Sequence, residues 1–459
     1  MTKTLNRFAL STTALLTLSM HGAWAKVPTA EAERLGKDLT CMGAEKAANK
    51  DGSIPEYSGK WQGTPPGVDF KGPGHPYPDP YASEKPLYTV TAQNMAQYAD
   101  KLSEGQKAML QKYAQAYRIP VYQSHRDFRM PDWVCASSKE NALKAELVDG
   151  NNGVKGVRGA APFPVPKSGD ELLLNLTYPF RVSQESATYD QAVVYPNGNI
   201  AWGRNYYRIL NPAADPASQP RTTDGVSALA NVKTLLPERN KGEVIVSTDT
   251  YNFKAVPRNA YQYNPGTRRV RQMPEFGFDM PFGPGGFRTI DDDRLFNGSP
   301  ERYDWKLIGK REMLIPYDGY RLDDPQIKYA DLLKTNTINP DYMRYELHRV
   351  WVVEATLKEG FRHQYAKRVI YLDEDTWQPV MADSYDARGQ LWRVGLVSMH
   401  YLYDAGAFGA RVTLYHDLSS GAYMADRMIN EVEQQPLYNE AAKLKSDMFT
   451  PEFARSEGR

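Results

Sequence analysis

Apolar and polar residues alternate most regularly along residues 344–357 (RYELHRVWVVEATL). The odd positions are mostly apolar and the even positions mostly polar, and only Val350 and Val352 interrupt the alternation. Successive side chains of a strand point to opposite faces of its sheet. The pattern therefore predicts a strand in a sheet with one apolar face, and it places His348 on the polar, exposed face.

Further short strands are expected through the C-terminal two thirds of the chain. The predicted strands are 172–178, 244–248, 251–256, 260–263, 268–271, 367–372, 377–385, 391–403 and 411–416. Turn-forming residues such as 264–267 (NPGT) separate them, and the short connections favour antiparallel pairing. Turns that recur at intervals of roughly 8–12 residues are typical of β-sandwiches and β-barrels.

Helical periodicity appears only in the N-terminal part of the chain. Apolar residues recur three or four positions apart in residues 28–49 and 92–117, and a third helix is predicted over 138–148. Residues 52–87 contain eight prolines and many glycines. Proline lacks the amide hydrogen that helices and central strands need, so this segment is predicted to be an extended arm.

Residues 274–298 interrupt the strand pattern with a loop rich in glycine, proline and phenylalanine. Phe276, Phe278, Phe282 and Phe287 lie among its glycines and prolines. Such a loop acts either as a lid over an apolar cavity or as a plug that fills the core. The plug is favoured, because aromatic residues of loops are commonly buried.

The first 25 residues indicate export to the periplasm. Lys3 and Arg7 precede an uncharged stretch, residues 8–20, and Ala23-Trp24-Ala25 offers a signal-peptidase site. The apolar stretch is too short to span a membrane. Removal of residues 1–25 lowers the formal net charge from +1 to −1, because Lys3 and Arg7 are lost. This balance argues against a nucleic-acid partner. The mature chain is divided into a helical, proline-rich region (26–150) and a β-rich region (151–459).

Cys41 and Cys135 are the two cysteines of the chain. In an oxidising periplasm such a pair is expected to form a disulfide. A redox-active pair or a metal site is disfavoured, because the two residues are not in C-x-x-C spacing.

Several segments carry a resemblance to a known family. Residues 285–292 (GGFRTIDD) and 297–307 (NGSPERYDWKL) resemble the signature of the bacterial domain of unknown function 1329. Residues 51–55 (DGSIP), 162–166 (PFPVP) and 371–377 (YLDEDTW) extend the resemblance over nearly the whole mature chain.

This family is similar to the periplasmic lipoprotein-sorting proteins, which are carriers of outer-membrane lipoproteins. The resemblance implies an α+β, β-rich fold with a single large, strongly curved antiparallel sheet that forms an open half-barrel. Helices would cover the concave face, and the Pro/Gly-rich segment would form an extended N-terminal arm. An apolar cavity between sheet and helices would receive acyl chains or another hydrophobic ligand, and relatives are often linked with transporters of the resistance-nodulation-division (RND) class.

Aromatic residues and one basic cluster are the candidates for ligand binding. The aromatic candidates for lining the cavity are Phe253, Tyr261, Tyr263, Phe278, Phe282, Phe287, Trp305, Trp351, Trp377 and Trp392. The alternative is that they pack against the helices as ordinary core. Arg268, Arg269 and Arg271 can contact an anionic headgroup at the cavity mouth. Exposed charges alternating along a strand are the favoured alternative.

The sequence lacks the common catalytic motifs H-E-x-x-H, G-x-S-x-G and the P-loop. Asp291-Asp292-Asp293 are followed by Phe296 where a calcium loop needs glycine, so a solvated turn or helix cap is favoured. No cofactor, metal or enzymatic activity is predicted. The sequence thus favours a periplasmic carrier of a lipid, lipoprotein or other hydrophobic ligand, working with an RND-type transporter. The alternatives are a cell-envelope glycan or ester hydrolase and a non-catalytic envelope assembly subunit.

Overall fold

A computed structural model describes residues 27–217, 225–274 and 276–458, and the predicted signal peptide lies outside them. The α-helices are α1 (Thr29–Ala32), α2 (Glu104–Lys112), α3 (Asp132–Lys144), α4 (Gly169–Thr177), α5 (Tyr329–Leu332) and α6 (Pro451–Glu457). The first ten strands are β1 (Tyr88–Val90), β2 (Ile119–Val121), β3 (Glu146–Val148), β4 (Gly153–Lys155), β5 (Gln184–Val194), β6 (Ile200–Leu210), β7 (Val226–Leu236), β8 (Val244–Thr250), β9 (Asn259–Asn264) and β10 (Arg269–Gln272). The remaining strands are β11 (Pro281–Phe282), β12 (Arg288–Thr289), β13 (Tyr303–Pro316), β14 (Tyr345–Leu357), β15 (Lys367–Asp373), β16 (Pro379–Tyr385), β17 (Leu391–Leu402), β18 (Ala407–Asp417), β19 (Tyr423–Met428) and β20 (Leu437–Tyr438).

Sixteen strands of the described chain form one sheet. Their order is β1-β2-β14-β15-β16-β17-β18-β19-β5-β6-β7-β8-β9-β10, with β13 beside β14 and β20 beside β5. The pairs are antiparallel, apart from a parallel contact of β2 and β14 between Val121 and Tyr345. Among the described residues β1 and β10 end the order without pairing with each other, so the sheet stays open. The predicted α+β, β-rich fold is confirmed at this level, and an open half-barrel agrees with it.

Helices α2 and α4 pack on the half of the sheet that contains β13 to β17. Helix α4 corrects the prediction of a strand over 172–178. Its leucines are buried on every side, and a continuous apolar stretch does not distinguish a buried strand from a buried helix. The hydroxyl of Ser168 accepts a hydrogen bond from the Glu171 amide, which fixes the start of the helix.

The predicted polar face of β14 is buried over the first half of the strand, although Thr356 near its end is exposed, so the expected exposure of His348 is wrong. His348 is 1% exposed and Glu346 is 0% exposed. Part of the N-terminal region covers this face: Arg126 donates from Nε and Nη2 to both carboxylate oxygens of Asp375, at 2.8 Å each. Polar groups here are buried because they bind one another, which the alternation of residue types does not reveal.

The first two N-terminal helices are shorter than predicted, whereas α3 both begins and ends before the predicted 138–148. Within 28–49 the only α-helix among the described residues is α1, because Gly36 and Gly43 take left-handed φ values of +89° and +96°. Residues 46–87 contain no helix or strand segment in the described chain, and the expected extended arm remains a prediction. The predicted disulfide between Cys41 and Cys135 is confirmed, and it ties this region to α3.

Candidate functional site

The two faces of the sheet at β5 to β9 are covered by different parts of the chain. On one face, Ala454 of α6 packs with Val244, Val246 and Tyr263. Beyond the other face lies the Gly/Phe loop, which is the described part of residues 274–298. Every second side chain of β6, β7 and β8 faces this loop, so these strands form the wall of any space between the loop and the sheet.

The Gly/Phe loop has a buried base and a more exposed tip. In the base, Arg288, Thr289 and Leu295 are 2%, 1% and 4% exposed. The tip contains the short strand β11 and Gly285 and Gly286, both of which are exposed. The base therefore acts as the predicted plug, whereas the tip lies over the sheet as a cover.

Buried aspartates fix the base of the loop. A solvated turn was predicted at Asp291 to Asp293, and this prediction is wrong for Asp291 and Asp292, which are buried. Asp292 accepts a hydrogen bond from the Thr289 amide and so caps a short 3₁₀ helix, as the alternative prediction held. Asp291 accepts hydrogen bonds from Arg368 and pairs with His363, at 2.9 Å each. Burial alone would raise the pKa of Asp291, but these two partners hold it well below its usual value.

A cavity of about 660 Å³ lies between the loop tip and strands β6 to β9. Apolar side chains of its wall include Trp202, Val232, Leu236, Ile245 and Phe282. Small-molecule sites of proteins usually have volumes of about 300–1,000 Å³ and a mostly apolar lining. The volume is therefore sufficient for a ligand of drug or lipid size.

A second, inner cavity of about 100 Å³ adjoins the first and shares Val232, Ile245 and Phe282 with it. Its strand wall adds small residues, Ala228 and Ala230 of β7. Its opposite side is polar and contains several arginines. The two cavities together form one candidate site that is apolar along the sheet and basic at its inner end.

Ion pairs order part of this basic end. Arg258 donates to Asp249 at 2.5 Å and to the carbonyl oxygen of Asn297 at 3.0 Å, so it joins β8 to the loop. Arg288 donates to Asp426 at 3.2 Å. Although burial alone would lower the pKa of Arg288, the neighbouring Tyr415 and Asp426 raise it. Arg258 and Arg288 together hold the loop base to the sheet.

Of the predicted aromatic residues, Phe282 lines both cavities. Phe253 lines a neighbouring cavity of about 50 Å³. The other two loop phenylalanines predicted to bind ligand lie elsewhere: the Arg302 guanidinium is 3.6 Å from the centre of the Phe278 ring, and Phe287 packs against the main core. The structure thus brings one predicted phenylalanine of the loop to the cavity wall.

The four predicted tryptophans lie in the half of the sheet that contains β13 to β18, away from the cavity lining. Trp377 is fully buried and donates to the carbonyl oxygen of Met42 at 2.7 Å. Trp351 stacks on Trp377 with ring centres 6.1 Å apart. Trp305 donates to the Pro300 carbonyl at 3.1 Å, and Trp392 to Asp417 at 3.1 Å. Their contacts are those of core and strand packing.

Tyr261 and Tyr263 of β9 pack in the cluster beneath α6, on the face opposite the cavity. Arg268, Arg269 and Arg271 are exposed on the hairpin of β9 and β10, and none lines a cavity found between described residues. The basic residues at the site are instead Arg181, Arg258, Arg288, Arg294 and Arg427.

Sequence reasoning missed strands β5, β6 and β7, which provide much of the cavity wall. The alternation in β7 is a usable signal, since Ala228, Ala230, Val232, Thr234 and Leu236 share the face toward the loop. The arginines carry no comparable signal. They come from distant segments, and only the folded chain brings them together.

One group of potential metal ligands lies outside the cavity. A nitrogen of His348 and oxygens of Asp373 and Asp375 lie within 4.8 Å of one another. Burial, followed by the charge of Asp375, raises the pKa of Asp373 to about 7. Both oxygens of Asp375 accept hydrogen bonds from Arg126, so this group is held as an ion-pair network.

Comparison with known proteins identifies the family. Residues 89–455 match the model of the family described as "Protein of unknown function (DUF1329)", and the chain belongs to this family. This confirms the resemblance found in the sequence. An uncharacterized protein of Pseudomonas aeruginosa is 42% identical over 454 residues, which cover 97% of this chain and 98% of that protein.

Solved structures with lower similarity include two of related description. A putative outer membrane lipoprotein-sorting protein domain from Vibrio parahaemolyticus is 13% identical with a TM-score of 0.40, covering 60% of this chain and 92% of that one. A DUF1329 family protein from Desulfovibrio piger is 12% identical with a TM-score of 0.41, covering 62% of this chain and 96% of that one. Among the described residues, no helix has both the length and the apolar character needed to cross a membrane.

Proposed function

We propose that this protein is a periplasmic carrier that binds a lipid, a lipidated protein or another hydrophobic molecule under the Gly/Phe loop. The observation that carries the proposal is the cavity of about 660 Å³ between the loop tip and strands β6 to β9. A ligand in this space would exchange water for Val232, Leu236, Ile245 and Phe282. Each Å² of apolar surface removed from water contributes about 25 cal/mol to binding.

Two features support the periplasm as the compartment. The sequence of residues 1–25 has the basic, apolar and small-residue order of a signal peptide. The disulfide between Cys41 and Cys135 fits the same compartment, because disulfides persist in oxidising environments. We propose that the carrier exchanges its ligand with an inner-membrane transporter of the RND class, as the family resemblance implies.

Native mass spectrometry tests the carrier function directly. The mature protein is purified gently from its native envelope and measured before and after extraction with organic solvent. We expect an extractable adduct of lipid size, and the delipidated protein should then take up a fluorescent fatty acid. A protein that carries no adduct and takes up no added lipid would contradict the proposal and favour an assembly or enzymatic role.

A pair of variants connects uptake to this cavity. Ala230 lies on the wall of the inner cavity, so the larger side chain of Ala230→Trp should occupy the ligand's space and reduce uptake at least about tenfold. Ala255 is exposed in the turn after β8, and Ala255→Trp should bind like the unmodified protein. Equal uptake by both variants would place the ligand elsewhere.

A further inference from the structure

Four arginines converge at the inner end of the candidate site. Arg181, Arg294, Arg411 and Arg427 line a cavity of about 30 Å³. Three of them, Arg181, Arg294 and Arg427, also line the inner cavity of about 100 Å³. The space they surround therefore adjoins the apolar wall formed by β6, β7 and β8.

The carboxylates nearby do not pair with all four guanidinium groups. Arg411 pairs with Asp323 at 2.6 Å, and Arg427 pairs with Glu185 at 2.5 Å. Arg294 lies 3.7 Å from the same Glu185. In the described part of the chain, Arg181 has no carboxylate oxygen within 4.0 Å. Asp293 also lies beside the cluster, where it pairs with Arg288 at 3.3 Å and lines the inner cavity with Arg181, Arg294 and Arg427. Against Asp323, Glu185 and Asp293, the four arginines leave an excess of positive charge.

Several donors of the cluster lack an acceptor. Nε of Arg181, Arg294 and Arg427 and one terminal nitrogen of Arg411 are buried without a hydrogen-bond acceptor in the described chain. Arg411 and Arg427 are 1% and 4% exposed. A buried donor without a partner costs free energy, and more so when it is charged. All four donors belong to residues that line one space, so an anion bound there would supply acceptors to the group.

The electrostatics of Arg181 agree with the binding of an anion. Burial, followed by repulsion from Arg294, lowers the pKa of Arg181 to about 9. An anion placed among these groups would remove the repulsion and supply acceptors. Planar guanidinium groups bind carboxylate and phosphate oxygens in bidentate geometry, and they do so more strongly when water is excluded.

The backbone also holds two of these residues in an unusual conformation. Arg294 and Arg427 have φ values of +49° and +65°, in the left-handed region that disfavours residues with a side chain. Such conformations are strained and concentrate at ligand-binding sites. Both residues contribute to the same cavity although they are far apart in the sequence.

We infer that the carboxylate or phosphate group of an anionic amphiphile binds to Arg181, Arg294, Arg411 and Arg427. The apolar chain of this ligand lies along Ala228 and Ala230 and extends into the first cavity, beneath the loop tip. This inference rests on the proposed carrier function and specifies the class of ligand. The anionic group is innermost, and the chain extends toward the loop tip. The exposed arginines of the hairpin of β9 and β10 have no part in this binding.

Four probes separate the anionic group from the apolar chain. Dissociation constants of delipidated mature protein are measured for palmitate, hexadecyl phosphate, hexadecanol and inorganic phosphate by displacement of a fluorescent fatty acid or by calorimetry. We expect at least one of the two charged amphiphiles to bind about tenfold or more tightly than hexadecanol. Inorganic phosphate alone should bind much more weakly than hexadecyl phosphate.

Arg181→Met and Arg269→Met form a matched pair, since the first removes the unpaired buried guanidinium and the second an exposed one. Arg181→Met should abolish the preference for charged amphiphiles and retain hexadecanol binding, whereas Arg269→Met should leave both unchanged. Because Arg181 lacks a carboxylate partner, the variant should fold normally, which urea unfolding checks. Arg294→Met provides a second test, with the same expected loss of preference.

The outcomes distinguish this inference from the carrier function itself. Equal binding of hexadecanol and both charged amphiphiles by the unmodified protein would overturn the anion site and leave the carrier function intact. Binding of inorganic phosphate as tight as that of hexadecyl phosphate would show a site for a small soluble anion and overturn the amphiphile. If none of the long-chain probes binds and no lipid is extracted, the carrier function itself fails.

Discussion

Asp383 of β16 offers a quantitative test of how this fold buries its polar groups. The carboxylate is 1% exposed and lies at the start of α2, where the Ser103 hydroxyl donates to it at 3.2 Å and Tyr371 at 3.1 Å. A Cβ atom at Gly105 would be 2.1 Å from its Oδ1, so glycine is required for this close approach. Burial nevertheless raises the pKa of Asp383 to about 6, from an ordinary 3.8, because its hydrogen bonds offset only part of the lost hydration.

The direction of the pH dependence follows from proton binding. Between pH 3.8 and about 6 the folded protein holds the proton of Asp383 and the unfolded protein releases it. Stability therefore falls as pH rises through this window and is constant above it. At 1.36 kcal/mol for each unit of pKa, the ionised carboxylate costs about 3 kcal/mol above pH 7. Asparagine resembles the protonated acid and carries no such cost.

We therefore expect Asp383→Asn to gain up to about 3 kcal/mol over the unmodified protein at pH 7.5 and to gain little at pH 4. Urea unfolding followed by tryptophan fluorescence at half-unit pH intervals gives the difference between the two curves. Glu359→Gln, at an exposed position, should give a curve parallel to that of the unmodified protein. Parallel curves for Asp383→Asn as well would refute the assignment of the proton to this buried carboxyl.

The remaining predictions concern the disulfide, the loop base and the loop tip. Replacing both Cys41 and Cys135 by serine opens a loop with a sequence separation of 94 and should cost about 4–5 kcal/mol in urea unfolding. Arg368→Met leaves the buried carboxylate of Asp291 without its guanidinium and should lower stability by about 3–5 kcal/mol. The Cγ atom of Pro284 lies 2.8 Å from a Cβ placed at Gly203, so oxidising the double variant Gly203→Cys and Pro284→Cys should tether the tip and stop uptake of a fluorescent fatty acid.

Each of these predictions has its own control. Stability losses below about 1 kcal/mol for the cysteine variant would show that the disulfide constrains the unfolded chain little. Arg388→Met, at an exposed residue, should change stability by less than about 1 kcal/mol, as expected for a surface ion pair with Asp386. Reduction of the tethered protein should restore uptake, and unimpeded uptake in the oxidised form would show that ligands enter without movement of the loop tip.

The strands with regular alternation were predictable, and β14 illustrates both the strength and the limit of that signal. Its bounds follow from residues 344–357, because a half-apolar strand has a period of two. The burial of its polar face depends on Arg126 and Asp375, which are 249 residues apart in the sequence. Pairing over such distances is set by the whole chain topology, and no local pattern encodes it. Helix α4 shows the same limit, since its apolar residues satisfy a buried helix and a buried strand equally well.

Two parts of the candidate site were predictable from the sequence, the Gly/Phe loop and its Phe282. The unusual composition of this loop is visible in the sequence, and the same loop covers the cavity. Large aromatic rings and clustered charges stand out in a sequence, but they do not mark this cavity. In the folded chain Trp305 and Trp377 are buried in the main core, where their size stabilises the structure, and Trp351 and Trp392 are half-buried on the strands. Small and branched residues such as Ala230 and Val232 contribute to the cavity wall beside larger ones, and such residues do not stand out in a sequence.

The arginine cluster shows why a site of this kind is hard to recognise from the sequence. Arg181 follows α4, Arg294 ends the loop base, and Arg427 lies in β19, so each appears locally as one charge among many. These arginines meet because β19 pairs with β5, which begins just after Arg181, and because Arg294 of the loop base lies 3.7 Å from Glu185 of β5. Stability alone would favour apolar residues at these positions, given the desolvation cost of buried charge. Retaining several arginines with unsatisfied donors therefore favours selection for an anionic ligand, and the comparison of hexadecanol with palmitate and hexadecyl phosphate measures that preference directly.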